Sequence, residues 1–133
     1  MAAILLGDED PEVRFALGML LREAGHEILE ADRCSAVLET AAEKRPDLVV
    51  TDVNMAGMSG VELIEQLRKA RPGIPVIAMT GGGMHQTPDL AATLAANAGA
   101  DRVLQKPFGN DELIAEVSTL LSGTGGSDPE RDS

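Results

Sequence analysis

Tryptophan and tyrosine are absent from this 133-residue chain, and phenylalanine occurs only at Phe15 and Phe108. A core built almost without aromatic rings must draw on Leu, Val, Ile, Ala and Met. Cysteine occurs once, at Cys34, which excludes a disulfide framework and a cysteine-rich zinc site. Basic residues are scarce: 11 Lys and Arg stand against 22 Asp and Glu, a formal charge of -11. That balance speaks against nucleic acid or an anionic membrane as a direct partner, since both need basic surface, and it leaves room for a divalent cation. No apolar run approaches the roughly 20 residues of a membrane span, and MAAILLGDED lacks the basic lead of a signal peptide. A soluble, cytoplasmic protein is expected. What the chain does have is a 44% hydrophobic content, enough for one folded domain with a single core.

Short apolar runs alternate with helical periodicities along its length. Ala3 to Gly7 reads as a strand, stopped by Asp8, Glu9 and Asp10. Pro11 suits a first helical turn, and Val13, Leu17, Leu20, Leu21 and Ala24 recur at helical spacing up to Gly25. Phe15 and Met19, four apart on another face, are expected to flank the core, with a docking patch as the alternative. Glu27 to Ala31 is a second, weaker strand. A second helix from about Ser35 to Lys44 turns Val37, Leu38, Ala41 and Ala42 inward, with Cys34 near its start as a small buried or half-buried residue. Leu48, Val49 and Val50 form a strand covered on both faces. Gly60 to Ala70 carries Leu63, Ile64 and Leu67 on one side, and Val76 to Met79 forms a strand ending at Thr80. Leu90 to Ala98 is a fourth helix capped by Gly99. Arg102 to Gln105 is a fifth strand, and Asn110 caps a last helix with Leu113, Val117, Leu120 and Leu121 as its stripe. The domain spans 1–122, and 123–133 reads as a flexible polar tail. Five strand–helix pairs in strict alternation make a doubly wound α/β fold with parallel strands and right-handed crossovers.

In a parallel sheet the residues that end the strands lie along one edge, the edge where ligands bind in open α/β folds. Here these are Asp8 and Glu9, Asp52, Thr80 and Lys106. Asp52 closes the central strand before a loop loosened by Gly57 and Gly60; taken alone, it also suits a helix-capping role. Three carboxylates on one rim repel one another, and a bound divalent cation relieves them. Oxygen ligands in small number favour Mg²⁺. A hydroxyl from Thr80 and an ammonium from Lys106 complete a site for a phosphoryl group, for which Asp52 is the available nucleophile. Each residue has a plainer alternative: Thr80 as a turn cap, Lys106 as a surface lysine, Asp8 or Asp10 as a helix cap. The joint pattern carries the specificity.

That pattern resembles the receiver domain of two-component response regulators over about Ala3 to Ser122. It rests on ILLGDEDPEVR, PDLVVTDVNMAGMSG, VIAMTG, AGAD and KPF, in that order. The resemblance implies a (βα)5 flavodoxin-like sheet with strand order 2-1-3-4-5. It implies Asp52 as phosphoacceptor, and Mg²⁺ held by Asp8, Glu9, Asp52 and the main-chain carbonyl of Asn54. It further implies Thr80 and Lys106 on the phosphoryl oxygens, and a cis Lys106-Pro107 peptide that aims the lysine inward. A histidine kinase or histidine phosphotransfer protein would be the donor, and an unknown protein the downstream partner.

The chain departs from the family pattern at several points. Glu9 stands where a second Asp is usual, and Ala56 where Pro is common. Val103 takes the place of an aromatic that turns inward on activation, so the usual Thr–aromatic coupling cannot operate. The Gly81 to Thr87 loop is unusually rich in glycine, and His85 within it reads as solvated. The expected function is a stand-alone receiver that is phosphorylated on Asp52 and switches a protein-binding surface formed by helix four, strand five and helix five. The alternatives are a receiver-fold interaction module independent of phosphorylation, and a small phosphohydrolase built on Asp8 and Asp10.

Overall fold

The computed structural model describes residues 2–55, 57–81, 93 and 95–125. Its strands are β1 (Ala3–Gly7), β2 (Glu27–Ala31), β3 (Leu48–Asp52), β4 (Val76–Thr80) and β5 (Arg102–Gln105). Helices α1 (Pro11–Glu23), α2 (Cys34–Lys44) and α3 (Gly60–Ala70) follow the first three strands, and α5 (Asn110–Gly125) follows β5. Between β4 and β5 lies α4, described over 95–98. All strand pairings are parallel, and the sheet order is β2-β1-β3-β4-β5.

The central strands β1, β3 and β4 are apolar at successive positions because both faces of the sheet are covered there. Side chains alternate across the pleat, so Leu5, Val49 and Val76 pack with Val37, Ala41, Leu63 and Leu67 of α2 and α3. Their neighbours Ile4, Leu6, Leu48, Val50, Ile77 and Met79 pack with Leu21 of α1 and Leu113 and Val117 of α5. A third cluster joins Val53, Ile64, Ala78 and Ala95, with Ala98, Ala100 and Val103 against it. β1, β3 and β4 therefore read as continuous runs rather than alternations, while the edge strands β2 and β5 carry exposed polar residues at their ends.

Local signals set the helix ends. The Asp10 carboxylate accepts from the Glu12 N–H at 2.9 Å and Pro11 opens α1, while the Ser59 hydroxyl accepts from the Glu62 N–H at 3.0 Å at the start of α3. These bonds satisfy donors that the first turn leaves open. Gly99 closes α4 at φ 119°, with its N–H on the Ala96 carbonyl, a left-handed stop that glycine adopts without strain.

Several expectations are corrected. Phe15 and Met19 are 65% and 45% exposed, so they do not flank the core; they lie on the side of α1 turned away from the sheet, which buries Gly18 and Leu21 instead. Ala24 and Ala42 are exposed as well: α2 buries Cys34, Val37 and Ala41, a stripe that leaves Ala42 outside. The Gly109 carbonyl accepts from Glu112 and Leu113, which puts the cap of α5 one residue before Asn110. That helix runs to Gly125, three residues into the stretch expected to be tail. Ala56, His85, most of the Gly81 to Thr87 loop, and residues 126–133 lie outside the described residues, as does the expected start of the fourth helix at Leu90.

Candidate functional site

Parallel pairing brings the carboxyl ends of β1, β3, β4 and β5 to one edge. The sheet order reverses direction between β1 and β3, and a crevice opens outside such a switch point. Asp8 follows β1 and Asp52 ends β3, next to it. Thr80 ends β4, and the Lys106 N–H donates to the Thr80 carbonyl at 2.7 Å, which carries β5's pairing one residue past the strand.

Lys106 reaches across this edge. Its Nζ lies 2.9 Å from Asp8 Oδ2 and 3.1 Å from Asp52 Oδ2. One ammonium thus serves two carboxylates whose side chains are 3% and 13% exposed. Burial pushes the amine towards neutrality. The hydrogen bond to Asp8, with the charge and hydrogen bond of Asp52, outweighs that push and holds Lys106 above the ordinary lysine value. The remaining carboxylate oxygens are also engaged: Asp8 Oδ1 accepts from the Asp10 N–H at 3.0 Å, and Asp52 Oδ1 from the Asn54 N–H at 2.8 Å. The bond from Asn54 turns the backbone behind β3 back towards the carboxylate that precedes it. The Lys106-Pro107 peptide is cis, as the resemblance implies.

Thr80 is fully buried, and its Oγ1 has no hydrogen-bond partner among the described residues. A buried hydroxyl left without a partner is unfavourable by about 1–3 kcal/mol, and among the described residues nothing takes up the Thr80 donor. Glu9 is exposed. Among the described residues no three His, Cys, Asp or Glu side chains converge as a metal-holding group; Asp8 and Asp52 converge as a pair, on the lysine.

The residues suit a small hard cation even so. Two carboxylate oxygens already point at one shared cationic group, the donor set is all oxygen, and Mg²⁺ takes one or two protein carboxylates and keeps several waters. Asp10 is occupied as the cap of α1, and its N–H in turn holds Asp8. That leaves little of the paired-aspartate geometry a phosphohydrolase built on Asp8 and Asp10 would need.

Two residues to which the sequence assigned no role at this edge belong to the neighbourhood, Arg14 and Cys34, the latter buried as expected. Arg14 donates from Nη1 to the carbonyls of Asp8 at 2.7 Å and Glu9 at 3.3 Å. Cys34, buried, sets its thiol 4.0 Å from the Met55 carbonyl and 3.8 Å from that of Met58, against the loop behind Asp52. Burial raises its pKa most, with the nearby carboxylates adding to the rise. The one sequence signal for Arg14 was its place in ILLGDEDPEVR, on the first turn of a helix that begins at the acidic residues.

A doubly wound sheet with two carboxylates and a lysine converging at its switch point defines an anion- and cation-handling α/β module. Residues 4–118 match the model of the response regulator receiver domain. The chain is 34% identical over 122 residues to the probable transcriptional regulatory protein TcrX of Mycobacterium tuberculosis, covering 92% of this chain and 50% of that one. It is 37% identical over 115 residues to the DNA-binding transcriptional regulator NtrC of Escherichia coli, covering 86% of this chain and 24% of that one. The CheY-like receiver domain protein of Methanospirillum hungatei superposes with a TM-score of 0.86 at 25% identity, covering 96% of this chain and 98% of that one. The chain belongs to the response regulator receiver domain family of two-component systems. It spans about half the length of TcrX (50%) and about a quarter of that of NtrC (24%). Among the described residues no helix is long and apolar enough to cross a membrane.

Proposed function

We propose that Asp52 accepts a phosphoryl group from a histidine kinase or a histidine phosphotransfer protein, and that the resulting charge switches a protein-binding surface. The single observation that carries this is the Lys106 ammonium held between Asp8 and Asp52. In the transfer, an Asp52 oxygen forms a bond to phosphorus as the phosphorus–nitrogen bond of the donor histidine breaks, and the imidazole leaves with the electron pair. Lys106 stands where it can screen an oxygen of the incoming group, and the Thr80 hydroxyl has a donor to offer it. Asp8, Glu9, Asp52 and the carbonyl of Asn54 would hold Mg²⁺, on which receiver phosphorylation generally depends. When bound, the ion neutralises charge on the phosphoryl oxygens.

The donor has a way in. A groove of about 510 Å³ beside Lys106 is lined by Val13, Ala16, Leu17, Pro107 and Phe108, and Phe15 is exposed on the same helix as its first three lining residues. For the output we read helix α4, β5 and α5 as the switched surface, biased by about 1–3 kcal/mol between two states. We read the module as a cytoplasmic, stand-alone receiver. The partial coverage of TcrX and NtrC marks the alternative, a receiver coupled to a DNA-binding output. Electrophoresis of the protein from its native source would separate them by mass.

The test of phosphorylation is incubation with a small phosphodonor and Mg²⁺. One added phosphate, absent without Mg²⁺ and in Asp52→Ala, is expected; an unchanged mass in the wild type overturns the reading. Val103 favours a second reading, since β5 carries no aromatic where activation is usually relayed. In that case the fold signals without phosphorylation, and a partner binds wild type and Asp52→Ala equally.

A further inference from the structure

Arg14 makes its shortest hydrogen bond to the main chain, although a carboxylate is within reach. Its Nη1 donates to the Asp8 carbonyl at 2.7 Å and to the Glu9 carbonyl at 3.3 Å, while Nε reaches Glu30 Oε1 at 3.2 Å. The side chain is 18% exposed, against 40% for Glu30. Glu30 is itself bracketed, accepting from Arg22 Nη2 at 3.4 Å, so the carboxylate anchors the far side of the guanidinium to β2.

The two carbonyls belong to the peptide planes on either side of the Glu9 Cα. Rotation of those planes about the Cα is described by φ and ψ of Glu9, so one nitrogen that holds both oxygens restrains the two dihedrals together. The second plane is held from its other edge as well, because the Asp10 N–H donates to Asp8 Oδ1 at 3.0 Å. The peptide before the first is tied to β2 by the Asp8 N–H on the Ala31 carbonyl at 3.1 Å. With the backbone set, the Cα–Cβ direction of Glu9 is set. This matters more for Glu than for Asp, since the longer side chain brings more rotamer freedom that must be lost when it binds a cation.

From this geometry we propose that Arg14 is a positioning residue for the acidic pair: it fixes the Asp8–Glu9–Asp10 backbone and thereby the direction from which Glu9 meets a divalent cation, with Glu30 as its anchor. The inference rests on the assignment of Asp8, Glu9 and Asp52 as Mg²⁺ ligands. Its sign runs against simple electrostatics. A guanidinium close to the acidic pair repels Mg²⁺, so on charge alone its removal strengthens binding. A positioning role requires the opposite. Partners of this kind, one shell out from the metal, commonly change affinity 10–100-fold when removed.

The experiment is calorimetric titration of Mg²⁺ into wild type, Arg14→Met, Arg14→Lys and Glu30→Gln, with thermal melts of each metal-free protein. Arg14→Met is expected to raise the Mg²⁺ Kd about tenfold or more. Arg14→Lys keeps the charge but loses the fork that holds two carbonyls and an anchor together, and is expected to weaken binding several-fold. Glu30→Gln should fall between wild type and Arg14→Met. An unchanged or smaller Kd in Arg14→Met, or wild-type affinity in Arg14→Lys, overturns the proposal, whatever the melts show. Lower melting temperatures with an unchanged Kd assign Arg14 a purely structural role and overturn it equally. Should Arg14→Met not fold, the Lys and Gln variants decide. Failure of wild type itself to bind Mg²⁺, or unaltered binding in Asp52→Asn, refutes the ligand assignment instead, and so the two failures are distinguishable.

Discussion

Lys106 Nζ stands 3.1 Å from Asp52 Oδ2, although 54 positions separate the two residues in the chain. The amine also holds Asp8, 98 positions away, at 2.9 Å. A single monovalent cation therefore stands in for charge balance at a rim that carries two nearly buried carboxylates. The competition between this amine and a divalent cation gives the first prediction.

Lys106→Met leaves Asp8 and Asp52 facing each other without their counter-charge. The metal-free variant should melt below wild type, most clearly at low salt, because removing one partner of a partly buried ionic group uncovers the others. Mg²⁺ should bind it more tightly than wild type and raise its melting temperature further. This is the reverse of the effect expected at Arg14, which holds backbone rather than carboxylate. An equal or weaker Mg²⁺ Kd in Lys106→Met by calorimetry would count against a shared position for the amine and the ion.

Alkaline pH should weaken the fold. Lys106 keeps its proton to a higher pH when folded than its ordinary value of 10.5. The folded state then binds more protons than the unfolded one, and stability falls as pH rises from about 10.5 through the folded pKa. Cys34 acts in the same direction: burial raises it above the ordinary 9.0, so its contribution is lost as pH climbs past that value. Urea midpoints across the alkaline range should show this decline. In Lys106→Met the upper part of the decline should vanish and the part owed to Cys34 remain.

Thr80→Val tests the orphaned hydroxyl. Because Thr80 Oγ1 has no partner among the described residues, its replacement by a methyl group should leave stability unchanged or raise it by about 1 kcal/mol, where a Thr-to-Val change at a hydrogen-bonded site would lower it. Phosphorylation of Asp52 should continue while partner switching is lost. A drop of several kcal/mol in chemical denaturation would show that the hydroxyl has a structural partner.

Gly60→Ala should be costly. A Cβ there would lie 2.4 Å from Val53 Cβ and 2.6 Å from the Val53 carbonyl oxygen, at the point where α3 begins directly against the loop behind Asp52. Relief requires backbone movement, and about 2–3 kcal/mol of destabilisation is expected, read as a lower urea midpoint. Gly73→Ala, with nothing within 4 Å, serves as the neutral control.

Arg68 ties three segments together. Its Nε and Nη2 donate to the Gly99 carbonyl at 2.9 and 2.6 Å, and Nη1 to the carbonyls of Pro72 and Ile74. Its Nη2 also meets Asp101 Oδ2, which accepts from the Val76 N–H at 2.8 Å. All five guanidinium donors are used, and they bind the end of α4 to the lead of β4 and β5. Arg68→Met should cost about 2–4 kcal/mol, since it strips partners from several carbonyls at once. In a double-mutant cycle Arg68 and Asp101 should couple by about 1 kcal/mol or more; additivity would show that the carboxylate is incidental.

Much of this protein could be read from its sequence because its fold depends on patterns that are local along the chain. Continuous β-branched runs, helical stripes, Pro11 and Gly99 each act within a few residues, so the five strands, their parallel sense and the strand-end residues followed directly. The misplaced residues share a cause. Phe15, Met19 and Ala42 are apolar, but burial depends on how a helix is rotated against the sheet. In α1 the face that carries Gly18 and Leu21 is the one buried against the sheet, and that rotation leaves Phe15 and Met19 exposed.

The sequence by itself determined which residues end the strands, and hence that Asp8, Asp52, Thr80 and Lys106 share an edge. Only the tertiary structure decided that one amine serves two carboxylates, that the Thr80 hydroxyl finds no partner among the described residues, and that Arg14 holds the backbone around Glu9. The reason is range. A strand's end is fixed by a few neighbouring side chains, whereas a hydrogen bond between residues far apart exists only once the sheet has set the distance between them.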